Sequence, residues 1–124
     1  MTVIAPAAAA VFEIPGARFT GLASPRRGSC ETCVWHVRIE PGSEPRFHKV
    51  TREEIFVALS GTAHVHLGGR VLDLVPGGAA IIPADTEFAI ANSGDLPFEA
   101  VVAFPVGGEA VVGGEAPFVP PWAE

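Results

Sequence analysis

His48 and Glu54 are the residues of this chain whose types and spacing offer chemistry, and both lie in the stretch from Gly42 to Gly61. A histidine near a carboxylate in an apolar cavity is a usable acid/base pair. The carboxylate favours the imidazolium while burial opposes it, which holds the ring near the working pH range. Such a pair moves a proton beside a carbonyl without a metal, with His48 as acid/base and Glu54 as its orienting partner. The bland alternative is that the two side chains only satisfy each other. Both are also metal-ligand types, but a transition-metal site normally takes three or more protein ligands.

The elements that must carry this pair can be read around it. A glycine turn at Gly42 leads through a loop into the apolar run Ile55 to Leu59, and Gly61 closes the run, so the stretch is a loop feeding a strand. If this strand closes with others into a barrel, His48, Glu54 and Phe56 are expected to point inward, with Arg46 and Trp35 near the mouth and Phe88 across the barrel. Ile55, Val57 and Leu59 then form an apolar outer face, which calls for cover by a second subunit.

Alternation continues along the chain. Cys33, Trp35, Val37 and Ile39 fall on one face, with Val34, His36, Arg38 and Glu40 on the other. Ala63, Val65 and Leu67 are inward, and Thr62, His64 and His66 outward. Gly68-Gly69 is a hairpin turn. Further short strands are expected over 11–14, 18–22, 70–75, 79–82, 87–91 and 98–104, each stopped by Gly, Pro or Asn. No segment has the length and 3.6 period of a convincing helix. Many short strands at even spacing imply an all-β sandwich or small barrel, a jelly roll among them. Residues 1–10 read as a flexible arm, 11–104 as the barrel domain, and 105–124 as a Gly/Pro-rich tail pinned to the barrel by Phe118 and Trp122.

The chain has 124 residues, enough for one domain, and its 14 Gly and 12 Pro punctuate apolar runs as in a folded all-β protein. Eight Lys and Arg against 14 Asp and Glu give a net charge of -6, with no basic cluster to grip a phosphate backbone. Nucleic acid is a poor partner. The start of the chain lacks a basic region, and Pro6 and then Glu13 interrupt it before a signal peptide or membrane span could be complete, so neither is expected and the protein is assigned to the cytoplasm. Cys30 and Cys33 lack both the βαβ setting of a redox motif and a second ligand pair for zinc, and read as free thiols. A local disulfide and a stray metal site are the alternatives.

Gly42, His48, Glu54 and Gly61 resemble the first motif of the cupin superfamily: glycine, five residues, His-x-His, three residues, Glu, six residues, Gly. Val50 stands where the second histidine falls. Gly77, Pro83 and Asn92 resemble the second motif, with Asp85 in place of its glycine and Phe88 in place of its histidine. The resemblance covers residues 33–104 and implies a cupin jelly roll, a double-stranded β-helix barrel. In typical cupins the three histidines and the glutamate hold one divalent metal. Here His48 and Glu54 are the two such positions kept, so no tight metal is expected. A weakly bound divalent ion, or a third ligand from elsewhere, is the alternative.

These readings imply a single-domain cupin that binds a small, partly apolar molecule, with Trp35, Arg46, Val50, Phe56 and Phe88 around it. It is either a metal-independent isomerase, epimerase, cyclase or lyase using His48 and Glu54, or a non-catalytic binder or sensor. A metal-dependent oxygenase with a completed site ranks third. The expected assembly is a homodimer.

Overall fold

The computed structural model describes residues 1–124 and contains strands and short 3-10 turns only. The strands are β1 (Ala10–Ile14), β2 (Ala17–Ala23), β3 (Thr32–Ile39), β4 (Lys49–Val50), β5 (Glu54–Ser60), β6 (Ala63–Leu67), β7 (Arg70–Leu74), β8 (Ala79–Ile82), β9 (Phe88–Ala91), β10 (Phe98–Pro105) and β11 (Ala110–Val111). They form a six-stranded sheet in the order β1-β2-β3-β10-β5-β8, a three-stranded sheet β7-β6-β9, and the pair β11-β4. Every pairing is antiparallel. This is the all-β jelly roll that the sequence implies, with the core between the sheets.

Alternation in the sequence becomes burial in the fold, because successive strand side chains point to opposite faces. β3 buries Cys33, Trp35, Val37 and Ile39. Its neighbour β10 buries Phe98, Ala100, Val102 and Phe104 in the same rhythm. On β5 the inward set is Glu54, Phe56 and Ala58, so the register that buries two apolar side chains carries a carboxyl group in with them. His64 and His66 are on the outer side of β6, as expected, and His64 pairs with Asp73 on β7 at 2.7 Å.

Asn92 shows what the second motif contributes structurally. It is fully buried, donates from Nδ2 to the carbonyls of Ile39 at 3.0 Å and Leu96 at 2.8 Å, and accepts from the Gly94 amide. A buried amide so completely bonded fixes the end of β9 against β3 and incurs no desolvation penalty from an unpaired group.

The last twenty residues do more than rest on the barrel. β11 pairs with β4, and the Glu109 amide donates to Thr51 Oγ1 at 2.9 Å. A final 3-10 turn, Pro121–Ala123, packs on β1, β2 and β3. There Trp122 stacks on Phe19 with ring centres 3.7 Å apart and planes within 3°. The Cys33 thiol donates to the Ala123 carbonyl at 3.4 Å, and neither cysteine forms a disulfide.

Candidate functional site

Between the sheets lies a cavity of about 430 Å³, a volume common for small-molecule sites. His48, Glu54, Trp35, Val50 and Phe56 all border it, and Arg46 sits on its rim. Phe88 is fully buried behind His48, with ring centres 4.4 Å apart, and does not border the cavity. Phe118 and Trp122, expected on the barrel surface, both border the cavity; the Trp122 ring finds its partner Phe19 at the cavity edge, while Phe118 stays 41% exposed. Phe19 and Phe104 complete the aromatic wall. No local pattern marks these four as one group, since they meet through long-range packing.

The electrostatics of the central pair differ from the expectation. His48 and Glu54 share no hydrogen bond or ion pair. His48 Nδ1 donates to the Arg46 carbonyl at 3.0 Å, so Nδ1 carries the proton and Nε2 keeps a lone pair. Burial pushes the His48 pKa down, against the smaller raising effect of that backbone bond. Glu54 is 6% exposed and its Oε2 has no hydrogen-bond partner. Burial raises its pKa to about 8. Glu54 is therefore a neutral acid near neutral pH, not the carboxylate that orients an imidazolium. The histidine is oriented by backbone instead.

Arg46 brings no compensating charge inward, for its guanidinium is exposed and donates to the Pro15 carbonyl. Nor do the residues present fit a transition metal. Val50 and Phe88 are buried apolar side chains at the two other ligand positions of the motifs, and no group of three His, Cys, Asp or Glu residues is gathered to hold an ion. His36 is tied to Glu99 at 3.3 Å on the outer face, and His64 to Asp73, so no third ligand comes from there.

Two antiparallel sheets closed around an interior site, with that site carried by the loop and strand between Gly42 and Gly61, define a jelly-roll barrel of the cupin kind. The chain belongs to the cupin domain family, whose description matches residues 35–104. A search of curated proteins finds no match. Among solved structures it is similar to the polyketide cyclase RemF from Streptomyces resistomycificus, with a TM-score of 0.71 and 18% identity over 85% of this chain and 79% of that one. It is also similar to KdgF from Halomonas sp., with a TM-score of 0.66 and 20% identity over 83% of this chain and 93% of that one. A third is the DMSP lyase DddQ from Ruegeria pomeroyi, at TM-score 0.62 and 26% identity, over 68% of this chain and 44% of that one. These likenesses establish the fold.

Proposed function

We propose that this cupin binds a small, mainly apolar carbonyl compound in its cavity and transfers a proton on it without a metal, as an isomerase, epimerase, cyclase or lyase. The observation that carries this reading is the commitment of His48 Nδ1 to the Arg46 carbonyl, which leaves Nε2 as a base inside an apolar cavity. Glu54, neutral and unpaired, is the matching acid.

The step balances with these two groups. Nε2 takes a proton from the carbon next to the carbonyl, the C–H electrons form a C=C bond, and the carbonyl oxygen gains charge. The Glu54 hydroxyl donates to that oxygen. Return of the proton at another carbon or face gives isomerisation, and loss of a leaving group from the next carbon gives elimination. The same fold occurs in a protein named a polyketide cyclase and another named a DMSP lyase. That shared fold supports the class of chemistry only by analogy. A divalent ion held by His48 and Glu54 alone would exchange freely with water, and no step is routed through one.

Native mass spectrometry of the purified protein identifies any retained ligand, and solvent-deuterium exchange at the carbon beside its carbonyl tests the step. Exchange in the wild type, lost about 10²–10⁴-fold in His48→Ala, is expected of a general base. No exchange in the wild type leaves a non-catalytic binder. Equal exchange in both removes His48 as the base.

A further inference from the structure

We infer that the ligand is uncharged, flat and conjugated, about two fused rings long, with its rings on the Trp122 and Phe19 wall and a carbonyl oxygen at the Glu54 end. This rests on the cavity being the ligand site, as proposed above. Four features support it. Trp122 and Phe19 lie parallel at 3.7 Å, with the edges of Phe12 and Trp35 turned toward Trp122 at 6.3 Å. Such a cluster favours a planar π system over a saturated one of equal size. Beyond the rim the cavity wall carries only two ionisable side chains, His48 and Glu54, and no cation, so a carboxylate ligand would be buried beside an acid with no counter-charge.

The polar end is fixed by Glu54, which borders the cavity and makes no hydrogen bond to the protein; its Oε2 is closed to solvent, so the ligand meets the acid at Oε1. A neutral acceptor such as a ketone oxygen satisfies a carboxylic acid there, whereas a hydrocarbon does not. Length follows from topology. β3, which carries Trp35 beside Trp122, and β5, which carries Glu54, are both paired with β10. Trp35 and Phe56 share a register across β10 and Glu54 lies two residues further along β5, so two strand spacings and that step put the ends about 12 Å apart. That is the span of a naphthalene bearing an acyl group.

Trp122 is thus a specificity-determining residue contributed by the C-terminal segment. The test uses four probes of similar size: 2-acetylnaphthalene, 2-ethylnaphthalene, 2-acetyldecalin and 2-naphthoate, titrated by calorimetry and tryptophan fluorescence. 2-Acetylnaphthalene is expected to bind about tenfold more tightly than either 2-acetyldecalin or 2-naphthoate. Trp122→Ala should weaken 2-acetylnaphthalene about tenfold and 2-acetyldecalin by less than about threefold, and Trp122→Phe should recover most of the loss. The preference for 2-acetylnaphthalene over 2-ethylnaphthalene should survive Glu54→Gln, which keeps a donor, and vanish in Glu54→Leu. Thermal melts show which variants are folded, and Trp122→Phe preserves the ring if Trp122→Ala is not.

Equal binding of 2-naphthoate overturns the uncharged assignment. Equal binding of 2-acetyldecalin, or loss of both ketones alike in the Trp122 variants, overturns the flat wall. Failure of every probe on the wild type sinks the cavity site itself. If the probes behave as expected but no deuterium exchange is seen, this inference stands and the proton-transfer reading fails.

Discussion

At the scale of single residues, the folding cost of burying Glu54 gives the site a pH signature. Its pKa is about 8 in the fold and near 4.5 unfolded, so above pH 4.5 the unfolded chain releases a proton that the native state keeps. Stability therefore falls as pH rises from 4.5 to 8. His48 acts oppositely. Its native pKa lies below 6.5, so stability falls as pH drops below 6.5. Between pH 6.5 and 8 only the Glu54 effect operates, and the native state should lose about 2 kcal/mol across that window. Urea denaturation at several pH values checks this: Glu54→Gln should be flat between 6.5 and 8 and more stable than wild type at pH 8. A wild type with no such slope would show that Glu54 is ionised in the fold. The metal positions give a second prediction. Wild type is expected to lose any transition metal on dialysis, whereas Val50→His combined with Phe88→His should retain about one equivalent by elemental analysis, since the chain then carries all four ligand residues of the two motifs. That variant should also be less stable, because Phe88 is fully buried.

At the scale of elements, two motif glycines with the same backbone sign should respond very differently. Gly61 joins β5 to β6 at φ 71°, and a Cβ there would lie 2.2 Å from the Pro97 carbonyl oxygen. Gly42 has φ 73° and open space around it. Gly42→Ala should cost only the left-handed strain, about 1–2 kcal/mol. Gly61→Ala adds a backbone clash and should cost more than about 3 kcal/mol. Shifts in denaturation midpoint measure both, and equal costs would refute the close approach at Gly61. Such elements are legible from sequence where the pattern is local. Cys33 to Ile39 and Phe98 to Phe104 alternate, and burial follows that alternation. The two motifs likewise place His48 and Glu54 on one barrel. Less legible are β4 and β11, two residues each and too short for any period, which are created by pairing across the fold. Trp122 reads as a surface pin for the same reason: its partner Phe19 is distant in sequence. The separation of His48 from Glu54 is invisible because the Arg46 carbonyl, a backbone group, captures the ring.

At the scale of the whole molecule, the outer face of the six-stranded sheet is where assembly should occur. Ile55 lies opposite Ile81 on β8, and Val57 opposite Ala79, while Val101 and Ala103 of β10 flank the same pair. Val57, Leu59 and Ile81 are 41%, 52% and 63% exposed, an apolar patch spread over β5 and the edge strand β8. Water contact along such a patch is unfavourable, and a second copy of the same surface is the simplest cover. We propose a two-fold dimer through this face, of the kind that buries roughly 800 Å² per partner. Near the two-fold axis each side chain meets its own copy, so Val57→Asp introduces two like charges into one dry contact. Sedimentation should therefore show a dimer for wild type at micromolar concentration and a monomer for Val57→Asp. A monomeric wild type would refute the proposal. The alternation of β5 also separates this surface from the site, for Val57 faces out where Glu54 and Phe56 face in. The monomeric variant should accordingly bind 2-acetylnaphthalene as wild type does, and a parallel loss of binding would mean that the second subunit shapes the cavity.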